Sequence, residues 1–122
     1  MKAVLITLFS ILTIGVYAGE GTKIANAIQS SNTNELATMF NTSIELVTPG
    51  TSGVHSKDQA KIVLDNFFTT HQPVKATVTH ETNGTTNSMI VIQLQTKSGN
   101  YRISVSGTYN GKNFIINEFK IV

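Results

Sequence analysis

The chain has 122 residues, no cysteine and a formal net charge of +2. That length fits one domain. The absence of cysteine excludes a disulfide framework, a thiolate metal site, a cysteine nucleophile and a lipid-modified N-terminal cysteine. The basic residues form no clustered stripe, which argues against a nucleic-acid partner.

Met1-Lys2 supplies a positive charge, Ala3 to Gly15 is almost wholly apolar, and Val16-Tyr17-Ala18 has small residues where a signal peptidase reads them. This pattern predicts a secretory signal peptide over residues 1–18, cleaved after Ala18. The apolar run is shorter than the roughly 20 residues needed for a span, so no membrane attachment is expected after cleavage. The mature domain is then 19–122, exported to a bacterial periplasm or secreted, where a small domain without disulfides is ordinary. Without Lys2, eight basic residues face seven acidic ones. The high pI thus reflects a small lysine surplus.

Thr22 to Ser31 reads as a first helix, with Ile24, Ala27 and Ile28 on one stripe. Ser31-Asn32-Thr33-Asn34 breaks it and offers a cap for a second helix, Asn34 to Phe40, which groups Leu36, Met39 and Phe40. Ser43 to Val47 reads as a strand. Thr48-Pro49-Gly50-Thr51-Ser52-Gly53 is a turn by composition, and Val54-His55 begins a short returning strand.

Ser56-Lys57-Asp58-Gln59 is a capping box, with Asp58 in the first turn where the helix dipole favours an anion. Ala60, Val63, Leu64, Phe67 and Phe68 follow at helical spacing, and Lys61 and Asp65 pair at i, i+4. This helix is expected to lie across a sheet and to stop near His71, before Gln72-Pro73.

The rest reads as strands. Val74 to Thr82 places Val74, Ala76 and Val78 inward, and Asn83-Gly84 is a hairpin-type turn. In the following meander Ile90, Ile92, Leu94, Tyr101, Ile103, Val105, Ile115, Phe119 and Ile121 share the inner parity. Lys97-Ser98-Gly99-Asn100 and Asn110-Gly111 supply its reversals. Helices are segregated from strands, which predicts an α+β fold with an antiparallel sheet.

Met39-Phe40-Asn41, Ile44-Glu45-Leu46, His55-Ser56-Lys57-Asp58-Gln59-Ala60, Phe67-Phe68 and Pro73-Val74 carry a resemblance. Together they resemble a bacterial secreted family of unknown function within the nuclear transport factor 2-like (cystatin-like α+β) superfamily. Leu94-Gln95-Thr96 followed by Gly99-Asn100-Tyr101-Arg102 is similar to that family's later strands. The resemblance spans about 22–121 and implies a cone of three helices packed on a curved antiparallel sheet. The superfamily hosts isomerases, dehydratases, transport factors and binding modules, so fold does not choose among activities.

Simple alternation places His80, Tyr101, Tyr109 and Asn117 on the inner face, where they are the candidate ligand-binding residues. It sends Glu81 and Glu118 outward, leaving His80 without the acidic companion that acid–base work needs. His55, His71 and His80 have no metal-site spacing, and no phosphate loop or Gly-x-Ser-x-Gly occurs. No catalytic residue, cofactor or metal is therefore expected. On the outer face, Phe114 and Ile116 would anchor and Arg102 would rim a homodimer or partner surface; a plain solvated face is the alternative. The sequence reads as a non-enzymatic domain binding a small apolar ligand or a protein partner. The alternative is a lyase- or isomerase-like enzyme using His80.

Overall fold

The computed structural model describes residues 19–83 and 87–122. The expected signal peptide, and Gly84 of the expected Asn83-Gly84 turn, lie outside them. The elements are α1 (Glu20–Gln29), α2 (Thr33–Met39), β1 (Phe40–Thr48), β2 (Thr51–Ser56), α3 (Lys57–Thr70), β3 (Pro73–Asn83), β4 (Asn87–Thr96), β5 (Gly99–Asn110) and β6 (Asn113–Ile121). One six-stranded sheet has the order β2-β1-β6-β5-β4-β3.

The three helices and the curved sheet are those expected. The sheet is mixed rather than wholly antiparallel, because β1 runs parallel to β6. The chain leaves β1 through β2 and α3, crosses the meander and returns to β1 only with its last strand. A crossover that long permits a parallel neighbour.

Each helix begins where a side chain meets its free N–H groups. Ser56 caps α3 by accepting from the Gln59 amide at 3.2 Å. Asn32 caps α2 by accepting from the Glu35 amide at 3.1 Å. α1 starts at Glu20, two residues before the expected Thr22, although its N-cap Gly19 has no side chain. Its cap comes from across the fold: Glu81 accepts from the Gly21 amide at 3.2 Å. Lys61 and Asp65 form the expected pair at 2.9 Å, and Thr33 donates to the same carboxylate, tying α2 to α3.

α3 buries Ala60, Leu64 and Phe68 beside β1 and β2, while α1 buries Ile24, Ala27 and Ile28 over β3 and β4. The helix expected to lie across the sheet thus packs on β1 and β2, while α1 covers β3 and β4 and α2 meets β6. Between these layers Ile90, Ile92, Leu94, Ile103, Val105, Phe119 and Ile121 are at most 1 % exposed. Their parity is as expected.

Register shifts change the parity elsewhere, and one between Pro73 and Lys75 leaves Val74, expected inward, 50 % exposed. In β3, Val78 faces Ile92 but His80 faces Val91, so Thr79 is the extra residue. In β6, Glu118 faces Ser106 but Ile116 faces Gly107, so Asn117 is extra. Every side chain beyond a bulge points to the opposite face from simple alternation. Phe114 (4 %) and Ile116 (0 %) are consequently core residues, not outer-face anchors, and Ile115 is only half-buried. Gly107 makes room for this arrangement. A Cβ there would overlap the Ile115 carbonyl oxygen and stand 2.7 Å from the Phe114 ring.

Candidate functional site

The four sequence-derived site residues do not converge. His80 is exposed and lies on the outer face beside Val91, because the Thr79 bulge turns it there. Asn117 occupies the other bulge, where its Oδ1 accepts from the Asn41 side chain at 3.0 Å and its Nδ2 donates to Thr108 Oγ1 at 3.4 Å. That is a structural answer to how the Asn117 amide is satisfied. Tyr101 and Tyr109 face inward at opposite ends of β5, eight positions apart.

Around Tyr101 an aromatic cluster closes one end of the fold. Its ring lies 5.2 Å from Phe67 and 5.4 Å from His71, both edge-on. His71 Nδ1 is 2.6 Å from Ser98 Oγ and 3.3 Å from the Tyr101 hydroxyl. Two hydroxyls therefore converge on one ring nitrogen, and no carboxylate orients the imidazole. A cleft of about 270 Å³ beside it includes Thr48, Asn66, Phe67 and His71.

The end around Tyr109 is richer in charge. The Thr79 bulge that expels His80 brings Glu81 opposite Ile90, on the inner parity, against the start of α1. Glu20 opens that helix. The Tyr109 ring sits 5.2 Å from Phe114, with which it is paired in register. Burial, and then the charges of Glu20 and Glu81, hold the Tyr109 hydroxyl above its ordinary value of 10.0. Ser88 acts in the other direction. Ser88 is buried, and its Oγ has no hydrogen-bond partner among the described residues. A buried unpaired hydroxyl is a feature that needs a reason.

Adjoining this cluster through Glu20 and Phe114 is a cleft of about 330 Å³, lined also by Lys23, Thr38, Met39 and Lys112. It offers charges of both signs above a floor of Met39 and Phe114. Among the described residues no group of three His, Asp or Glu could hold a metal ion.

Sequence reasoning missed Glu81, Ser88 and the two lysines. For Glu81 no signal was available, since the bulge is not written in the local pattern. Gly19-Glu20-Gly21 was a partial signal. Glycines there leave the space that a carboxylate occupies, with side-chain positions on Gly19 and Gly21 only 2.8 Å and 2.5 Å from Glu81 oxygens.

Family comparison completes this description. The profile of a domain of unknown function, DUF4783, matches residues 21–121. The chain belongs to the DUF4783 family. A DUF4783 protein of Bacteroides uniformis superposes with a TM-score of 0.77 at 21% identity, covering 85% of this chain and 94% of its own. One from Bacteroides fragilis gives 0.74 at 26% identity, covering 80% and 92%. An NTF2-like protein from Anabaena variabilis gives 0.61 at 13% identity, covering 84% and 83%, and shares the fold alone. Among curated proteins none matches. DUF4783 is thus structurally related to the NTF2-like proteins, as the sequence motifs implied.

Proposed function

We propose that this DUF4783 domain is exported to the periplasm or beyond and acts as a non-enzymatic binding module. Its small ligand sits in the cleft between the start of α1, the end of α2 and the β5–β6 turn. One observation carries the reading: the apolar interior is already filled, while free volume lies in a polar cleft at its edge. Leu36, Leu64, Ile92 and Phe119 are fully buried, and Phe40 meets the Phe119 ring edge-on at 6.1 Å. The ligand chemistry is therefore amphipathic rather than wholly apolar. A small apolar part rests on Met39 and Phe114, a donor faces Glu20, and an anionic group faces Lys23 and Lys112.

A protein partner on the outer sheet face has less support, because two of its three expected contacts, Phe114 and Ile116, are core residues. Arg102 alone remains exposed there.

Native mass spectrometry of protein purified from its own envelope tests this reading. The expected result is a small co-purifying mass that is lost in a Lys23→Glu/Lys112→Glu double variant. No bound mass, or one retained equally by the double variant, removes the proposal.

A further inference from the structure

Glu81 presents an unbalanced charge. Its carboxylate is half-buried, and among the described residues it accepts one hydrogen bond, from the Gly21 amide, while no lysine, arginine or histidine pairs with it. Partly buried carboxylates ordinarily have a counter-charge. The main chain of Gly19–Gly21 wraps this one closely: a Cβ on Gly19 would stand 2.8 Å from Glu81 Oε2 and 3.6 Å from Oε1. The Gly19 nitrogen is ~1.5 Å from the same Cα, which puts it within about 5 Å of the carboxylate. An opposite charge acts strongly over that range.

We infer that the working protein begins at Gly19, and that the amine released there is the counter-ion of Glu81, fastening the start of α1 to β3. This rests on the export part of the reading above and is independent of the ligand. The step is a hydrolysis by signal peptidase. Water adds across the Ala18–Gly19 amide, the C–N bond breaks, and Ala18 leaves as a carboxylate. The proton its new carboxyl group gives up goes to the Gly19 nitrogen, which becomes an ammonium.

In the uncut chain the same nitrogen is a neutral amide, so Glu81 faces only the helix N–H groups. After the cut a full positive charge joins them. The position most exposed to processing thereby becomes the one that locks the first helix over the edge strand, and α1 is held most firmly in the exported form. A side chain at position 19 would meet the Glu81 carboxylate.

Two measurements test the inference. First, the full chain is exported in a bacterial host and weighed intact; a mass starting at Gly19 is expected, and an uncut chain or another start overturns it. Second, the mature protein is compared with a form acetylated at its α-amine. Melting is expected to fall by about 4–8 °C, the shift that one lost contact of ordinary strength causes in a domain of this size. The same acetylation in Glu81→Gln is expected to change melting by about 1 °C or less.

An unchanged wild-type melting point, or an equal fall in Glu81→Gln, overturns the counter-ion assignment. Should Glu81→Gln fail to fold, salt replaces it: the difference between free and acetylated wild type should shrink at 1 M salt, where the screening length is about 3 Å. A difference that salt leaves untouched also overturns the assignment. Failure of the first measurement counts against export with cleavage; failure of the second alone leaves export standing.

Discussion

β4 and β5 pair with each other in unbroken register, whereas the pairings of β3 with β4 and of β6 with β5 both slip. In the regular pair the inner parity follows from alternation: Ile90, Ile92 and Leu94 face Val105, Ile103 and Tyr101. In the bulged pair the same rule holds only from Lys75 to Val78 and from Glu118 onward. Beyond those points it inverts, exchanging His80 for Glu81 and Ile115 for Ile116. His80, Glu81 and Ile116, which alternation places on the wrong face, all lie beyond a bulge. The comparison teaches that a sheet's apolar face is robustly encoded by alternation, whereas its polar visitors are set by where the pairing slips.

The sharpest way to break the comparison is at the exchanged pair in β6. Ile116→Ala should cost about 3–4 kcal/mol, as for a buried isoleucine, whereas outer-face placement would make it nearly neutral. Half-buried Ile115→Ala should cost clearly less. Chemical denaturation of both variants decides the matter, and equal costs would contradict the Asn117 bulge.

A smaller effect is expected at Gly107. A methyl group there meets the Ile115 carbonyl oxygen and the Phe114 ring, so Gly107→Ala should cost roughly 1–3 kcal/mol through overpacking. The same substitution at exposed Gly50, where a Cβ meets nothing within 4 Å, serves as the control. Thermal melts compare the two.

Deleting Asn117 should have an effect of similar size. Removing the extra residue leaves Ile116 opposite Gly107 and Glu118 opposite Ser106, so the core parity survives. The loss is confined to the Asn41 and Thr108 hydrogen bonds, about 0.5–1.5 kcal/mol each. A deletion variant that unfolds would show that the bulge does more than set parity.

The pH limbs give the finest tests. Tyr109 has its pKa raised in the folded protein, so its contribution is intact below pH 10 and is lost as pH rises through the raised value. Tyr109→Phe should flatten the alkaline limb of stability against pH. Absorbance titration of the phenolate should show Tyr109 ionising above its ordinary range. Asp65 has its pKa lowered, chiefly by the Thr33 hydrogen bond and then by Lys61. Its contribution is present above 3.8 and is lost as pH falls through the depressed value, so Asp65→Asn should flatten the acid limb. The effect is small because this carboxylate is 42% exposed.

Much of the fold was legible. Helix α3 was readable from Ser56, Asp58 and the Ala60–Phe68 stripe because capping and burial are local and reinforce one another. The start of α1 was not, since its cap is a carboxylate sixty residues away in the chain. The extent of β2 was obscured by Gly53 and the Thr/Ser composition of an edge strand. The parallel β1–β6 pair left no trace in either segment, because pairing direction depends on the path between them.

The site was less legible than the fold. Tyr109 was found because β5 is regular as far as Ser106 and Gly107 keeps its inner parity after that. Glu81, Ser88, Lys23 and Lys112 were missed because each matters only through what stands beside it.

The sequence by itself determined which segments are helical, which strands are greasy on one side, and that the two must be layered. Those properties follow from short-range spacing and from the need to bury apolar surface. Only the tertiary structure decided that Glu81 faces inward, that His80 faces out and that α1 begins at Glu20. Each of these depends on one slipped residue in a strand pairing, and such a slip is a property of two strands together that neither segment's own alternation records.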